Sequence, residues 1–355
     1  MSIIRTVLSA TSILIVTLIA IFLVLLFSFT NGFHDASSIV ATMIACRAAT
    51  PRSAVLLATA MVILGALIGG SAVAFTVEGL VYLNEQSSFV YVLMTSALAA
   101  VVWNLITWKL GLPSSSTQAL IGGLIGATII SQGFGGVYWG VDDLLSPSPL
   151  LTGVTKIVVF LLWSVLFGFA IGFLTQKIAR FLLRNAKRSA NRPIRRIQWA
   201  TAGILAFSYG ANDSQKQMGI IVLMLLAGGY LATPDIPSWI RLLCGMAMAA
   251  GIIGGGWRIM KTLGGRLYPI EPVHSLDSHI ASAASILSST LAGAPVSSTQ
   301  VVASSVLGVG AADNPKMLNW TVGRDMLVAW FLTIPAAMAI SMVFYYPIHL
   351  LLTGG

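Results

Sequence analysis

The chain has 355 residues, of which 57% are hydrophobic and only 9% are charged, and its formal net charge is +9. An ordinary soluble domain carries roughly 25% charged residues, so a water-soluble fold of this length could not cover its surface. The composition therefore excludes a soluble globular protein and indicates an outer face that is solvated by lipid.

Long apolar runs begin near the N-terminus. No Lys, Arg, Asp or Glu occurs between Arg5 and Asp35, and a helix needs about 20 apolar residues to cross the hydrocarbon core. This run is longer than the ~7–15-residue apolar region of a signal peptide, so we interpret it as a membrane span. Spans must satisfy their own backbone hydrogen bonds, which predicts an all-α polytopic membrane protein. The further runs are Ser53–Val77, Ser88–Trp108, Pro113–Ile130, Leu151–Thr175, Ile197–Ala232, Ser238–Gly256, Ile280–Val309 and Met326–Tyr346.

The positive charge is concentrated in the middle of the chain. A basic linker between two apolar halves is typical of a cytoplasmic loop under the positive-inside rule, and nucleic-acid binding is not expected. We predict a first membrane repeat over residues 1–176, a basic cytoplasmic loop over 177–196 and a second membrane repeat over 197–355, all in the cell (inner) membrane. The basic residues of the loop are Lys177, Arg180, Arg184, Lys187, Arg188, Arg192, Arg195 and Arg196.

Two short motifs occur twice, in the same order. Phe29–Asp35 (FTNGFHD) resembles Phe207–Asp213 (FSYGAND), and Gly111–Gln118 (GLPSSSTQ) resembles Gly293–Gln300 (GAPVSSTQ). Their recurrence at nearly the same separation indicates an internal repeat. The first half has an odd number of predicted crossings, so the second half starts from the opposite face. The sequence thus predicts two inverted-topology repeats with broken helices or re-entrant hairpins, as in many secondary transporters.

Asp35 and Asp213 lie in apolar surroundings, where a carboxylate at a helix centre costs about 2.5–3.5 kcal/mol. Each follows a glycine and precedes a new apolar stretch, so each is predicted to cap the second piece of a discontinuous helix. Because intramembrane acids are usually functional, we assign both to cation coupling. The structural alternative is pure capping, or an ion pair between Asp213 and Lys216. His34 is either a titratable group near neutral pH or a satisfied polar histidine.

The two Gly-x-Pro segments predict a break followed by a new helix, because proline is tolerated in a first helical turn. A helix N-terminus carries about half a positive charge and binds anions through its free N–H groups. Two such helix starts that face one another would form a cradle for a tetrahedral oxyanion. Small-residue helix packing is the alternative. The hydroxyl residues concerned are Ser115, Ser116, Thr117, Ser297, Ser298 and Thr299.

Acids beside an anion site must be neutralised, because like charges repel. A cation or a proton at each carboxylate would do so, and anion and cation would then move together. A carboxylate can also accept a hydrogen bond from a protonated phosphate, whereas fully ionised sulfate has no proton to donate. The pattern therefore favours phosphate over sulfate.

The motifs Asn31–Ala36 and Gly210–Lys216, with both Pro-x-Ser-Ser-Thr segments, resemble the inorganic phosphate transporter (PiT) family. The resemblance implies a two-repeat helical carrier that imports inorganic phosphate by symport with sodium or protons. It implies that the four motifs line the substrate and cation sites, and it adds Asn212 to the substrate-binding residues. No enzyme activity and no cofactor are expected, with sodium ions at Asp35 and Asp213 as candidate bound cations. A homo-oligomer stays open.

Several alternatives also stay open. Many relatives have histidine where this chain has Gln118 and Gln300, so the identity of the coupling ion is undecided. A sulfate permease of the same family shares nearly every feature, and a passive anion channel would also suit broken helices. An intramembrane hydrolase would need one serine beside a base and an oxyanion hole, but no single serine is marked out.

Overall fold

The computed structural model describes residues 2–81, 86–255, 260 and 262–353, and this part of the chain is almost entirely α-helical. The predicted all-α fold is therefore confirmed. The helices are α1 (Ser2–Ala45), α2 (Pro51–Ile68), α3 (Ala72–Glu78), α4 (Gln86–Leu110), α5 (Ser116–Gln132), α6 (Gly153–Leu182), α7 (Asn191–Ala227), α8 (Ser238–Gly254), α9 (Pro272–Leu291), α10 (Ser298–Asp313) and α11 (Trp320–Thr353), with a few single turns between them.

Five stretches of the described helices are long and apolar enough to cross a membrane. Large apolar side chains such as Leu166 and Phe331 lie exposed on the outside of the bundle, where lipid solvates them without cost. The protein is a multi-pass membrane protein, as its composition predicts. The five stretches are Leu14–Ala45, Pro51–Ile68, Phe89–Leu110, Gly153–Leu182 and Trp320–Leu350.

Two predicted runs are not single helices. The run Ser53–Val77 is divided into α2 and α3 by a turn at Gly69 and Gly70, and Gly70 has a φ of +92° that only glycine adopts readily. The run Ile280–Val309 is divided into α9 and α10. The second break lies at the Gly293-Ala294-Pro295 segment, as the sequence predicts. The first was not predicted, because its glycines stand in an apolar run without a proline.

The helices that carry Asp35 and Asp213 are continuous, and the predicted breaks at these residues are wrong. Both aspartates lie inside α1 and α7, not at an N-cap. The glycines that precede the aspartates, Gly32 and Gly210, lie at close contacts between helices. A Cβ on Gly32 would lie 2.0 Å from the carbonyl oxygen of Met248, and a Cβ on Gly210 would lie 2.3 Å from a backbone oxygen of α2. These glycines allow two helix backbones to touch, which requires no break.

The first helix of each half packs against the other half of the chain. Helix α1 packs against α8 and α7 packs against α2, so the first helix of each half lies on the second helix of the other. A Cβ on Gly251 of α8 would meet the carbonyl of Phe29, just as one on Gly65 of α2 would meet that of Phe207. The packing of α5 on α11 is likewise repeated by α10 on α6. The contacts of one half thus recur in the other, as an internal repeat predicts, while its inverted orientation stays a prediction.

Helices α4 and α5, and likewise α9 and α10, pack against each other as two helical hairpins. Each hairpin turns at a Gly-x-Pro segment, where Gly111 and Gly293 have φ values of +70° and +64°. The second helix of each hairpin begins only at Ser116 or Ser298. The prolines therefore lie in the turn and not, as predicted, in the first helical turn.

The basic segment 177–196 is not a loop over its whole length. Residues 177–182 complete α6 and residues 191–196 begin α7, so that 183–190 form the connection. Arg180 donates a hydrogen bond of 2.7 Å to the carbonyl oxygen of Asp313 at the end of α10, a favourable place for a cation. The predicted loop is too wide, because a helix keeps its own hydrogen bonds beyond the apolar region and need not end there.

Candidate functional site

The two aspartates and the starts of α5 and α10 meet in the core of the protein. Asp35 and Asp213 are each 1% exposed, and the helices that carry them pack against each other. The structure thus brings the four repeated motifs to one place. The other sequence-predicted side chains are all buried there, namely His34, Ser115, Ser116, Thr117, Asn212, Ser297, Ser298 and Thr299.

The carboxylate of Asp35 is bound by hydroxyls from both hairpins. Ser116 of α5 donates to Oδ2 at 3.0 Å, and Thr299 of α10 donates to Oδ1 at 2.5 Å. The Nδ1 atom of His34 lies 2.8 Å from the same Oδ1. One buried carboxylate therefore connects the two halves of the chain through hydrogen bonds from hydroxyls, and such bonds stabilise a carboxylate.

The carboxylate of Asp213 has a different set of partners. Ser298 donates to its Oδ2 at 2.5 Å, as Ser116 does to Asp35, but its Oδ1 is paired with the ammonium of Lys216. The ion pair that the sequence offered as an alternative is therefore present. Lys216 also donates to the hydroxyl of Thr117 at 2.5 Å and to the carbonyl of Val296 at 2.7 Å.

Ser115 and Ser297 have a local task. Each is the N-cap of its helix and accepts a hydrogen bond from a backbone N–H, that of Gln118 at 3.1 Å and that of Gln300 at 3.4 Å. Serine is a preferred N-cap because its side-chain oxygen satisfies an otherwise unpaired N–H. These two residues therefore set the positions at which α5 and α10 begin, and the serine that follows each of them, Ser116 or Ser298, donates to a carboxylate.

Asn212 holds the tip of the second hairpin. Its amide donates to the hydroxyl of Thr290 at 2.9 Å and to the carbonyl of Ala294 at 3.1 Å, and it accepts from the N–H of Val296 at 3.3 Å. Asn212 therefore binds a side chain at the end of α9 and the backbone of the turn that follows it.

His34 holds the first hairpin in the corresponding way. Its Nε2 lies 3.2 Å from the hydroxyl of Thr107 and 3.3 Å from that of Ser114. Because its other nitrogen lies beside Asp35, His34 links the hairpin to the carboxylate. Both of the readings that the sequence left open for this histidine agree with this position.

Sequence reasoning did not foresee the contact between Lys216 and the first hairpin, nor the place of Tyr209. The Tyr209 side chain is fully buried, and its hydroxyl donates to the carbonyl of Asn31 at 3.3 Å. A polar aromatic residue directly before the Gly210-Ala211-Asn212-Asp213 segment was a signal of a buried polar contact, since buried tyrosine hydroxyls usually find partners.

The fold and the site together define a multi-pass, all-α membrane protein that encloses paired carboxylates and paired helix starts. A sequence profile of the phosphate transporter family matches residues 31–341. A Bacillus subtilis (strain 168) protein described as a "Probable low-affinity inorganic phosphate transporter" is 34% identical over 342 residues, which cover 95% of this chain and 98% of the relative. The chain belongs to the phosphate transporter family.

Other relatives agree. A Mycobacterium bovis protein with the same description is 38% identical over 340 residues, covering 95% of this chain and 78% of the relative. A solved structure titled "The sodium-dependent phosphate transporter" superposes with a TM-score of 0.80 at 24% identity, over 95% of this chain and 99% of that one. This likeness shows that the two share a fold. Family membership places the chain among transporters and sets the hydrolase alternative aside.

Proposed function

We propose that this protein imports inorganic phosphate by symport with a cation, sodium or a proton, through alternating access between two repeats. Its relatives are described as inorganic phosphate transporters, and the protein with the same fold is titled sodium-dependent. In this proposal residues 1–176 and 197–355 form inverted repeats in the cell (inner) membrane. The basic connection between them lies in the cytoplasm, where positive residues next to spans are enriched.

One observation carries the proposal, namely that the buried carboxylate of Asp35 holds hydroxyls of both hairpins. Ser116 belongs to the first half of the chain and Thr299 to the second. A ligand that replaces these hydroxyls at the carboxylate changes a contact between the halves. Coupled transport requires such a link, because bound ligands must alter how one half sits on the other.

Anion binding is assigned to the starts of α5 and α10. Free N–H groups and the helix dipole attract an anion there without a basic side chain. Gln300 is buried close to the start of α10, and its Nε2 donor has no hydrogen-bond partner among the described residues, so it can donate to an oxyanion. The proposed substrate-binding residues are Ser115, Ser116, Thr117, Asn212, Ser297, Ser298 and Thr299.

Cation coupling is assigned to Asp35 and Asp213, with His34 beside the first of them. A buried carboxylate repels an anion unless it is neutralised, which ties the entry of phosphate to that of a cation or a proton. Hard cations prefer oxygen ligands, and hydroxyl oxygens lie at both carboxylates, although Asp213 is also paired with the ammonium of Lys216. A protonated phosphate can also donate a hydrogen bond to a carboxylate, which distinguishes it from sulfate.

Uptake of labelled phosphate into proteoliposomes of the purified protein tests the proposal. We expect accumulation against the phosphate gradient when an inward sodium gradient or an inward proton gradient is imposed, and we expect it to persist in excess sulfate. Loss of uptake in sulfate would identify a sulfate permease. Equilibration without accumulation under either gradient would identify a passive channel and contradict the proposal.

The double variant Ser116→Ala/Ser298→Ala is expected to raise the KM for phosphate by about tenfold or more. Hydrogen bonds to charged groups contribute about 1.5–3 kcal/mol each, and 1.4 kcal/mol corresponds to a factor of ten. The measurement is the phosphate dependence of initial uptake rates.

A matched control is Ser96→Ala/Ser305→Ala. These two serines are also buried, but they donate to carbonyl oxygens of their own helices, so we expect little change in KM. If the Ser116/Ser298 variant kept the wild-type KM, the anion site would have to lie elsewhere.

A further inference from the structure

The ammonium of Lys216 is enclosed by oxygen atoms. It is paired with Asp213, and it donates to the hydroxyl of Thr117 at 2.5 Å and to the carbonyl of Val296 at 2.7 Å. The Lys216 side chain is 1% exposed. Carboxylate, hydroxyl and backbone carbonyl groups offer the oxygen ligands that hard cations take in proteins, so the ammonium occupies a cation environment.

This arrangement does not leave Lys216 available as a ligand of the anion. An ammonium group has three N–H donors and no acceptor, and each donor has its own oxygen partner from the protein. To reach a phosphate, the ammonium would have to leave Asp213, and a buried carboxylate without a partner is strongly unfavourable. The contacts therefore favour a role as the counter-ion of Asp213.

The matching place in the first half has no such cation from its own helix. Aligning Asp35 with Asp213 places Ser38 at the position of Lys216, and the Ser38 hydroxyl donates to the backbone carbonyl of Asp35 at 2.7 Å. Ser116 and Ser298 occupy equivalent positions, and each donates to one oxygen of its carboxylate. The other oxygen differs, because Asp35 Oδ1 accepts from Thr299 and lies beside the His34 imidazole, whereas Asp213 Oδ1 is paired with the ammonium of Lys216. Thr117, the counterpart of Thr299, accepts from that ammonium instead.

We propose that Lys216 is a tethered cation that fills the cation position at Asp213. A transport cycle then takes up a free cation at Asp35 and none at Asp213, so this protein couples one cation fewer to each phosphate than a carrier with two open carboxylate sites. The inference rests on the proposed function and refines it, because it assigns different tasks to two carboxylates that the sequence repeat makes equivalent.

Replacing Lys216 by Ser, the residue at the equivalent position of the first half, tests this proposal. In proteoliposomes, opposing phosphate and cation gradients are varied until net flux is zero, which gives the number of cations that move with each phosphate. We expect this ratio to rise by one in Lys216→Ser and to keep the wild-type value in Lys216→Arg, which retains the charge. An unchanged ratio in an active Lys216→Ser protein would overturn the proposal, and a weaker phosphate affinity with that unchanged ratio would make Lys216 an anion ligand.

A second measurement tests the proposal even if Lys216→Ser does not transport phosphate. Removal of the ammonium leaves Asp213, Thr117 and Val296 oxygens for a sodium ion, so sodium chloride should raise the melting temperature of Lys216→Ser more than choline chloride does. The double variant Asp213→Asn/Lys216→Ser lacks the carboxylate and should not show this difference. If the wild type is sodium-coupled and sodium stabilised the single variant no more than choline did, the proposal would be wrong.

The two failures are distinguishable. If the wild-type protein did not accumulate phosphate at all, the proposed function would fail. If the wild type accumulated phosphate and Lys216→Ser gave either contrary result, an unchanged ratio or no stabilisation by the coupling sodium, only the tethered-cation proposal would fail.

Discussion

Asp35→Asn is expected to abolish concentrative phosphate uptake while leaving the protein folded in the membrane. The substitution removes the charge from a carboxylate that accepts hydrogen bonds from Ser116 and Thr299. Hydrogen bonds to a charged group contribute about 1.5–3 kcal/mol each, so weakening two of them costs about 3 kcal/mol or more. This corresponds to roughly a hundredfold change in the equilibrium constant for the contact between this side chain and the two hairpins. The neutral amide also no longer attracts the coupling cation. Because Asn has the shape of Asp, the packing of α1 should persist.

Asp213→Asn is expected to cause a similar loss for a related reason, since it leaves the ammonium of Lys216 buried without its carboxylate. Uptake of labelled phosphate is measured in proteoliposomes that contain equal amounts of each protein, after membrane insertion has been checked. Asp142→Asn is the matched control, because Asp142 is exposed in the connection between α5 and α6, and it should transport normally. Full uptake by both Asp35→Asn and Asp213→Asn would remove these acids from the mechanism.

Gly32→Ala is expected to destabilise the protein strongly, although it adds only one methyl group. The added Cβ would lie 2.0 Å from the carbonyl oxygen of Met248, and backbone atoms cannot rotate out of the way as a side chain can. Overpacking of this kind typically costs about 1–3 kcal/mol, and direct collision with backbone favours the upper part of that range. Gly210→Ala, with its Cβ 2.3 Å from a backbone oxygen of α2, should behave in the same way.

The melting temperature of the detergent-solubilised protein measures this effect. A Cβ on Gly135 would meet no heavy atom within 4 Å, so Gly135→Ala serves as the control and should melt close to the wild type. Gly32→Ala and Gly210→Ala should melt well below it, with lower yields of monodisperse protein. Equal melting temperatures for the three variants would mean that the helices do not approach as closely as the structure has them.

The glycines show where a local interpretation of the sequence fails. Glycine before an intramembrane aspartate predicted a broken helix, because glycine is a poor helix former. In the structure Gly32 and Gly210 lie inside continuous helices and permit close contact with α8 and α2. Glycine destabilises a helix interior by only about 1 kcal/mol relative to alanine. The packing of two long helices overrides this cost. The serines of the Gly-x-Pro segments were more informative, since Ser115 and Ser297 do mark new helix starts.

The amino-acid sequence by itself determined the class of the protein. Few charges and long apolar runs required a lipid-solvated helical protein, and the recurrence of two motifs indicated a repeat. Acids within apolar segments and serines after Gly-x-Pro segments also marked the residues that meet in the core. These are properties of composition and of neighbouring residues, so they can be read without knowledge of the fold.

Only the tertiary structure decided which of these residues touch. Asp35 accepts a hydrogen bond from Thr299, 264 residues away, because the second hairpin lies against α1 of the first half. The pairing of Lys216 with Thr117 depends in the same way on how α5 and α7 are placed. Helical periodicity specifies the face on which a side chain lies, whereas its partner depends on the packing of helices that are far apart in the chain, and this packing gives two similar carboxylates different neighbours.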